Sequence, residues 1–338
     1  MGGLLGYNNM VERIEFIDIA KGFGIFCIVF GHNIIPHWLC DWVFSFHVPM
    51  FFILSGYFYK KRNWRDTLYK GWRQLLRPML KTIMIAYLGL VAIFCHKGIW
   101  TGPEPGCWSK DMLTFRNTGD VCGIWFLVAL FWGKLWFWGI DRMPSKIKPM
   151  CVILLFGAGY FFNNLWGIMP WRFFQGMMVP FFLYVGLQLH NHSFFDQYNS
   201  YMHVFLALII ICFARFWPIS LDGYVLPYGI LSVIGCVLAS LSVLILLKKF
   251  SEISCLPRKL FRYAGLNSLL ILCLHGIIHT WQLDSKVWTI LPSDGYMYLV
   301  LQYGLFAFAE CVFLVLAVIA FNRIKIVKEL WFFRFSSW

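Results

Sequence analysis

The 338 residues are 60% hydrophobic and 20% aromatic but only 13% charged, about half the charged share of an average soluble domain, which excludes a soluble globular protein. Lys and Arg outnumber Asp and Glu by 29 to 16, for a net charge of +13. The basic residues sit in short loops on alternate sides of apolar runs, the distribution of membrane topogenesis and not of a nucleic-acid-binding face.

Residues 1–12, MGGLLGYNNMVE, carry neither a charged n-region nor a cleavage site, so the first span is expected to serve as the insertion signal. Apolar runs suited to crossing a bilayer follow at 14–35, 42–59, 79–97, 122–140, 149–163, 172–190, 202–218, 226–247, 264–281 and 296–321, most of them close to the ~20 residues a crossing needs. The fold class predicted is an all-α integral membrane protein: about ten transmembrane helices in one bundle and a single domain over 1–338. With the N-terminus in the cytoplasm, twenty-one Lys and Arg fall on inner segments, six on outer loops and two, Lys21 and Lys134, within spans. That asymmetry places both termini in the cytoplasm. Trp and Tyr cluster near span ends as an interfacial belt, and the outer loop 98–121, with TGPEPG, is long enough to form a substrate rim. The eleven cysteines show no metal-ligand spacing; Cys40, Cys95, Cys107 and Cys122 fall toward the outer side, and the sequence chooses no disulfide among them. No metal or tightly bound cofactor is implied.

The first span, RIEFIDIAKGFGIFCIVFGHN, holds Arg13, Glu15, Asp18, Lys21 and His32. Ionisable groups at membrane depth are costly and face a bundle interior or a cavity. At 100° per residue Asp18, Lys21 and His32 share a stripe about 60° wide, and Gly22, Gly24 and Gly31 allow another helix to approach closely. Arg13 and Glu15 are equally readable as an inner anchor, and Asp18 with Lys21 as a structural pair at i, i+3. His32 titrates near neutrality, as a general base should. In the second span, FSFHVPMFFILSGYFYKKR, Pro49 is expected to kink the helix beside His47, with Ser55 and Gly56 about two turns deeper.

These residues carry a resemblance. R-x-E-x-I-D-x-A-K-G with G-H eleven residues after the lysine, then F-H-V-P-M-F-F-x-L-S-G-Y, resembles the opening of the membrane acyltransferase-3 family, and more narrowly its fucose 4-O-acetylase-like branch. RQLLRP, WFLVALF and GLNSLLILCLH are weaker likenesses further along, and Val48 stands where Met is usual. The resemblance implies transfer of an acyl group, commonly acetyl, from cytoplasmic acetyl-CoA as co-substrate to a hydroxyl of a surface glycan or lipid-linked sugar. It implies His32 as the catalytic histidine, Arg13, Asp18 and Lys21 as a polar set on the same span, and Arg73 and Arg77 as the basic motif that meets CoA. Asp18 is grouped with His32 in catalysis, Arg13 and Lys21 with Arg73 and Arg77 toward acyl-CoA, and His47, Ser55, Trp125 and His275 as pocket members. The expected partners are acetyl-CoA, the glycan acceptor and membrane lipid, with no nucleic acid, and the expected location is a bacterial inner membrane. The rival reading is a glycan transporter or flippase using the stripe as a proton relay; it calls for inverted halves with paired broken helices, and the sequence shows no such symmetry.

Overall fold

The computed structural model describes residues 2–33, 36–97, 124–167, 169–198, 200–221, 225–280 and 296–323. They are helical, with no strand among them and one isolated bridge between Ser220 and Val225. In chain order the helices are α1 (Gly2–His32), α2 (His37–Phe44), α3 (His47–Tyr57), α4 (Trp64–Gly71), a π turn (Trp72–Leu76), α5 (Arg77–Lys97), α6 (Trp125–Ile140), α7 (Lys148–Trp166), α8 (Phe173–Asn191), α9 (Phe194–Gln197), α10 (Tyr201–Phe213), α11 (Ile230–Ser251), α12 (Leu256–Leu266), α13 (Ser268–Thr280) and α14 (Tyr296–Arg323). Local chemistry sets several ends. The Asn63 side chain accepts from the Asp66 amide at the start of α4, satisfying one orphan donor. Pro149 and Pro257 sit in the first turns of α7 and α12, where a missing N–H is no loss.

Among the described residues three stretches are long and apolar enough to cross a membrane: His37–Tyr57 taken through its break, Lys148–Trp166 and Ile230–Ser251. Leu256–Leu266 and Ser268–Ile278 pass together as a pair bent by 82°. Trp125–Ile140, Tyr201–Phe216 and Phe308–Ala320 are apolar but shorter. α7, α10 and α14 turn large apolar side chains outward, among them Leu154, Phe161, Tyr201, Phe205, Leu305 and Phe313, as helices in contact with hydrocarbon do. Two local expectations shift. The break in the second span lies at Ser45–Phe46, ahead of Pro49, because Pro49 occupies the first turn of α3 and needs no hydrogen bond there. The ninth run is interrupted at Asn267, between α12 and α13.

The described residues gather into two compact units. The first holds α1–α3, residues 185–271 and α14. Its interior is aromatic: Phe16 meets Phe195 edge-on at 5.2 Å, Phe23 stacks on Phe46 at 6.2 Å, and Phe261 packs against both Phe23 and Phe26. α1 and α12 touch backbone to backbone. A Cβ on Gly22 would lie 1.8 Å from the Phe261 carbonyl oxygen, and one on Gly265 would lie 1.7 Å from that of Asp18, so both positions require glycine for the approach. α1 and α3 run antiparallel, with Gly24 against Met50 and Phe51, and Gly31 against Val43 and Phe44 of α2.

The second unit holds residues 59–97, 124–184 and 272–280. Here α6 and the first half of α8 run parallel: Arg172 lies over Trp125, Gly176 against Trp132, and Gly133 against Val179. α7 joins through Gly159, which sits against the Phe174 carbonyl, and through Phe162 and Trp166 on the Phe174 ring.

Candidate active site

The C-terminal end of α1 satisfies its own last carbonyls with side chains. His32 Nδ1 lies 2.7 Å from the Ile28 carbonyl, and Asn33 Nδ2 donates to the Val29 carbonyl at 2.8 Å. A carbonyl only accepts, so in the neutral ring the His32 proton is on Nδ1 and Nε2 carries the lone pair, the tautomer a base needs. Asn33 Nδ2 also donates to Glu310 Oε2 on α14 at 2.8 Å, with both residues buried. This bond ties the end of α1 to a helix 277 positions away in the chain and holds the residue beside His32.

His47 repeats the arrangement. Its Nδ1 lies 2.8 Å from the Val43 carbonyl, inside the break between α2 and α3 where backbone groups lack helical partners. Phe44 bridges the two imidazoles, with ring centroids 6.4 Å from His32 and 4.9 Å from His47. Ser240 Oγ on α11 donates to the Phe46 carbonyl at 3.2 Å, completing the hydrogen bonding of the break. Ser55 is on α3, its Oγ enclosed and without a hydrogen-bond partner among the described residues.

The stretch of α1 from Glu15 to Lys21 is organised by charge. Asp18 is buried and pairs with Lys21 at 3.5 Å, and the Lys21 ammonium lies 5.6 Å from the Phe58 ring centroid. Glu15 takes Arg258 Nη2 at 2.6 Å and Nε at 3.1 Å, with Arg262 at 3.5 Å. The structure therefore does not bring Asp18 and His32 together: fourteen residues of helix separate them by about 21 Å. The Arg13 side chain lies outside the described residues, as does the outer loop 98–121; Cys40 is a free thiol.

In the second unit Arg73 lies in the π turn and Arg77 opens α5, so the basic motif spans a distortion of the kind that recurs at functional sites. Trp125 is buried at the start of α6 and His275 is buried on α13. At the far end of α6, Asp141 accepts from Lys148 Nζ at 2.8 Å and from the Tyr59 hydroxyl at 3.4 Å.

Residues 14–323 match the family model described as an acyltransferase domain. The chain belongs to the acyltransferase-3 family. No curated protein and no solved structure matches it. The acyltransferase match runs through both compact units, and the family is membrane-associated, in keeping with the outward apolar faces of α7, α10 and α14. This chain is a membrane acyltransferase.

Two residues that the structure places beside His32 escaped the sequence reading. Asn33 is uncharged, and its neighbour His32 drew the attention. Glu310 is the one charged residue of the 296–321 run, which is the signal that singled out Asp18 in the first span.

Proposed function

We propose that this membrane acyltransferase moves an acetyl group from cytoplasmic acetyl-CoA to a hydroxyl of a surface glycan or lipid-linked sugar, in the manner of the fucose 4-O-acetylase-like branch. The chain works as one domain over 1–338, with about ten spans and both termini in the cytoplasm of a bacterial inner membrane. The observation that carries this reading is the Nδ1–H bond of His32 to the Ile28 carbonyl, which makes Nε2 the basic nitrogen of the neutral ring. His32 removes the acceptor hydroxyl proton as the oxygen attacks the thioester carbonyl. The C–S bond breaks, the new C–O ester bond forms, and the proton passes from His32 to the leaving thiolate, giving acetylated glycan and free CoA. General-base catalysis of this kind contributes about 10²–10⁴-fold.

Asn33 and Glu310 act through position: their hydrogen bond fixes the last turn of α1 and so the imidazole. Arg73 and Arg77 supply planar donors to the CoA phosphates on the cytoplasmic side. Arg13, Asp18 and Lys21 line the donor's route, with His47 and Ser55 beside the reacting groups. The test is release of thiol from acetyl-CoA by purified protein. Thiol appearing with glycan present, together with ester on the glycan by mass spectrometry, is the expected result. A protein that moves glycan across vesicles but releases no thiol would be a transporter.

A further inference from the structure

α2 keeps three residues exposed: His37, Trp38 and Asp41, with Trp38 at 47%. At 100° per residue they fall within one arc about 100° wide, and Asp41 lies inside it between the other two. Val43, on the opposite side of the helix, is buried. Phe44 borders the arc about 20° from His37, and its ring centroid is 6.4 Å from that of the half-buried His32. α1 and α2 belong to one compact unit, so the fold itself sets this face beside His32.

The two tryptophans of α2 are used differently. Trp42 is half-buried: its Nε1 donates to the Ile211 carbonyl at 2.8 Å and its ring meets Phe46 edge-on at 5.2 Å. It packs α2 onto the rest of the unit. Trp38, one turn earlier, presents its indole on the open side of the helix beside Asp41 at i, i+3. Asp41 is the one acidic residue between Asp18 and Asp66. An ionised group is costly in hydrocarbon, so an exposed carboxylate marks this arc as facing water.

An anion would be repelled by Asp41. A lipid chain would use the indole and strand the carboxylate. A metal ion lacks ligands, since no group of three His, Cys, Asp or Glu that could hold one occurs among the described residues. A sugar uses both side chains: the indole offers an apolar face to its C–H side, and the two carboxylate oxygens accept from neighbouring hydroxyls. Asp41 and Phe44 are three residues apart, about 4.5 Å of helix rise, so a sugar held there lies about one turn from the ring that adjoins His32. We infer that Trp38 and Asp41 form a subsite for the neutral hydroxyls of the acceptor glycan. This rests on the acetyl-transfer reading above, with His32 as base, and assigns a place to its acceptor.

The experiment uses the full chain in detergent with acetyl-CoA and, as probe, the envelope glycan fraction extracted from a strain lacking this gene. Asp41→Asn keeps the size and replaces one acceptor oxygen by a donor. The glycan concentration for half-maximal transfer is expected to rise about 10–100-fold, the worth of hydrogen bonds to a charged group. Trp38→Leu keeps an apolar side chain but removes the flat ring, and a rise of about 2–10-fold is expected. In both variants the half-saturating acetyl-CoA, the rate at saturating glycan and the melting temperature are expected to stay at wild-type values. Unchanged glycan half-saturation in either variant would make that residue a surface group alone and overturn the subsite. Half-saturation that rises for glycan and acetyl-CoA alike, with a lower melting temperature, would mean a damaged fold and overturn it too. An Asp41→Asn protein that takes glycan at lower concentration would show the carboxylate repelling an anionic sugar, and would overturn the neutral-hydroxyl assignment. Wild-type protein that releases no thiol with this glycan would instead defeat the acetyl-transfer reading, a result distinct from these.

Discussion

In its first half α1 sets charge against charge: Asp18 against Lys21, and Glu15 against Arg258 and Arg262 of α12. At its C-terminal end the same helix sets side chains against its own carbonyls, His32 on Ile28 and Asn33 on Val29, with Asn33 reaching on to Glu310. The first set is neutralised within the helix and its neighbour. The histidine at the C-terminal end is held by a bond that fixes the tautomer of its neutral ring. Polar residues in a membrane span thus divide by what satisfies them, and a histidine held by a carbonyl suits proton transfer better than a carboxylate held by an ammonium.

The sharpest way to break this comparison is at His32. His32→Ala and His32→Gln are both expected to lose transfer by about 10²–10⁴-fold while the protein still inserts and binds acetyl-CoA. The wild-type rate should fall on the acid side of the imidazole range, since a protonated ring accepts no proton. A Gln variant retaining most of the turnover, measured by thiol release, would make His32 a helix cap and nothing more.

In the first half of α1, Asp18→Leu leaves the Lys21 ammonium buried without its carboxylate, expected to cost about 3–5 kcal/mol of stability. Adding Lys21→Leu should recover most of that loss in thermal unfolding, but not the transfer rate if the pair lines the donor's route. Full recovery of the rate would make the inner charges purely structural.

Away from α1, Arg73→Ala and Arg77→Ala should each weaken acetyl-CoA binding by about 1.5–3 kcal/mol, the worth of hydrogen bonds to charged groups. The loss should shrink with added salt. Titration calorimetry giving unchanged affinity for both would leave these arginines to membrane topology alone.

Gly22→Ala tests whether the charged half of α1 depends on close packing. Its methyl meets the Phe261 carbonyl, and forcing α1 from α12 is expected to cost about 1–3 kcal/mol; a melting temperature equal to wild type would refute the close approach. The smallest effect belongs to the surface Lys249–Glu252 pair, 2.6 Å apart and three positions apart across the end of α11 and its cap. Lys249→Ala should leave the melting temperature unchanged within error, as surface pairs usually do.

The helices were largely legible in the sequence. The runs at 122–140, 149–163 and 172–190 reappear as Trp125–Ile140, Lys148–Trp166 and Phe173–Asn191, because hydropathy over a turn or two is a local property. The ionisable groups of the first span were visible for the same reason. The break at Ser45–Phe46 was displaced from the expected kink because a proline acts on the turn that precedes it, and whether that turn is helical is settled by the neighbours that satisfy its carbonyls.

The sequence by itself determined that this is a membrane protein, where its apolar helices run, and that His32, Asp18 and Lys21 are out of place in lipid. Only the tertiary structure decided that Glu15 is paired across helices with Arg258 and Arg262. It also decided that Asn33 meets Glu310. Those outcomes depend on helices far apart in the chain coming together, as α1 and α12 do at Gly22 and Gly265, and no window of local hydropathy contains that distance.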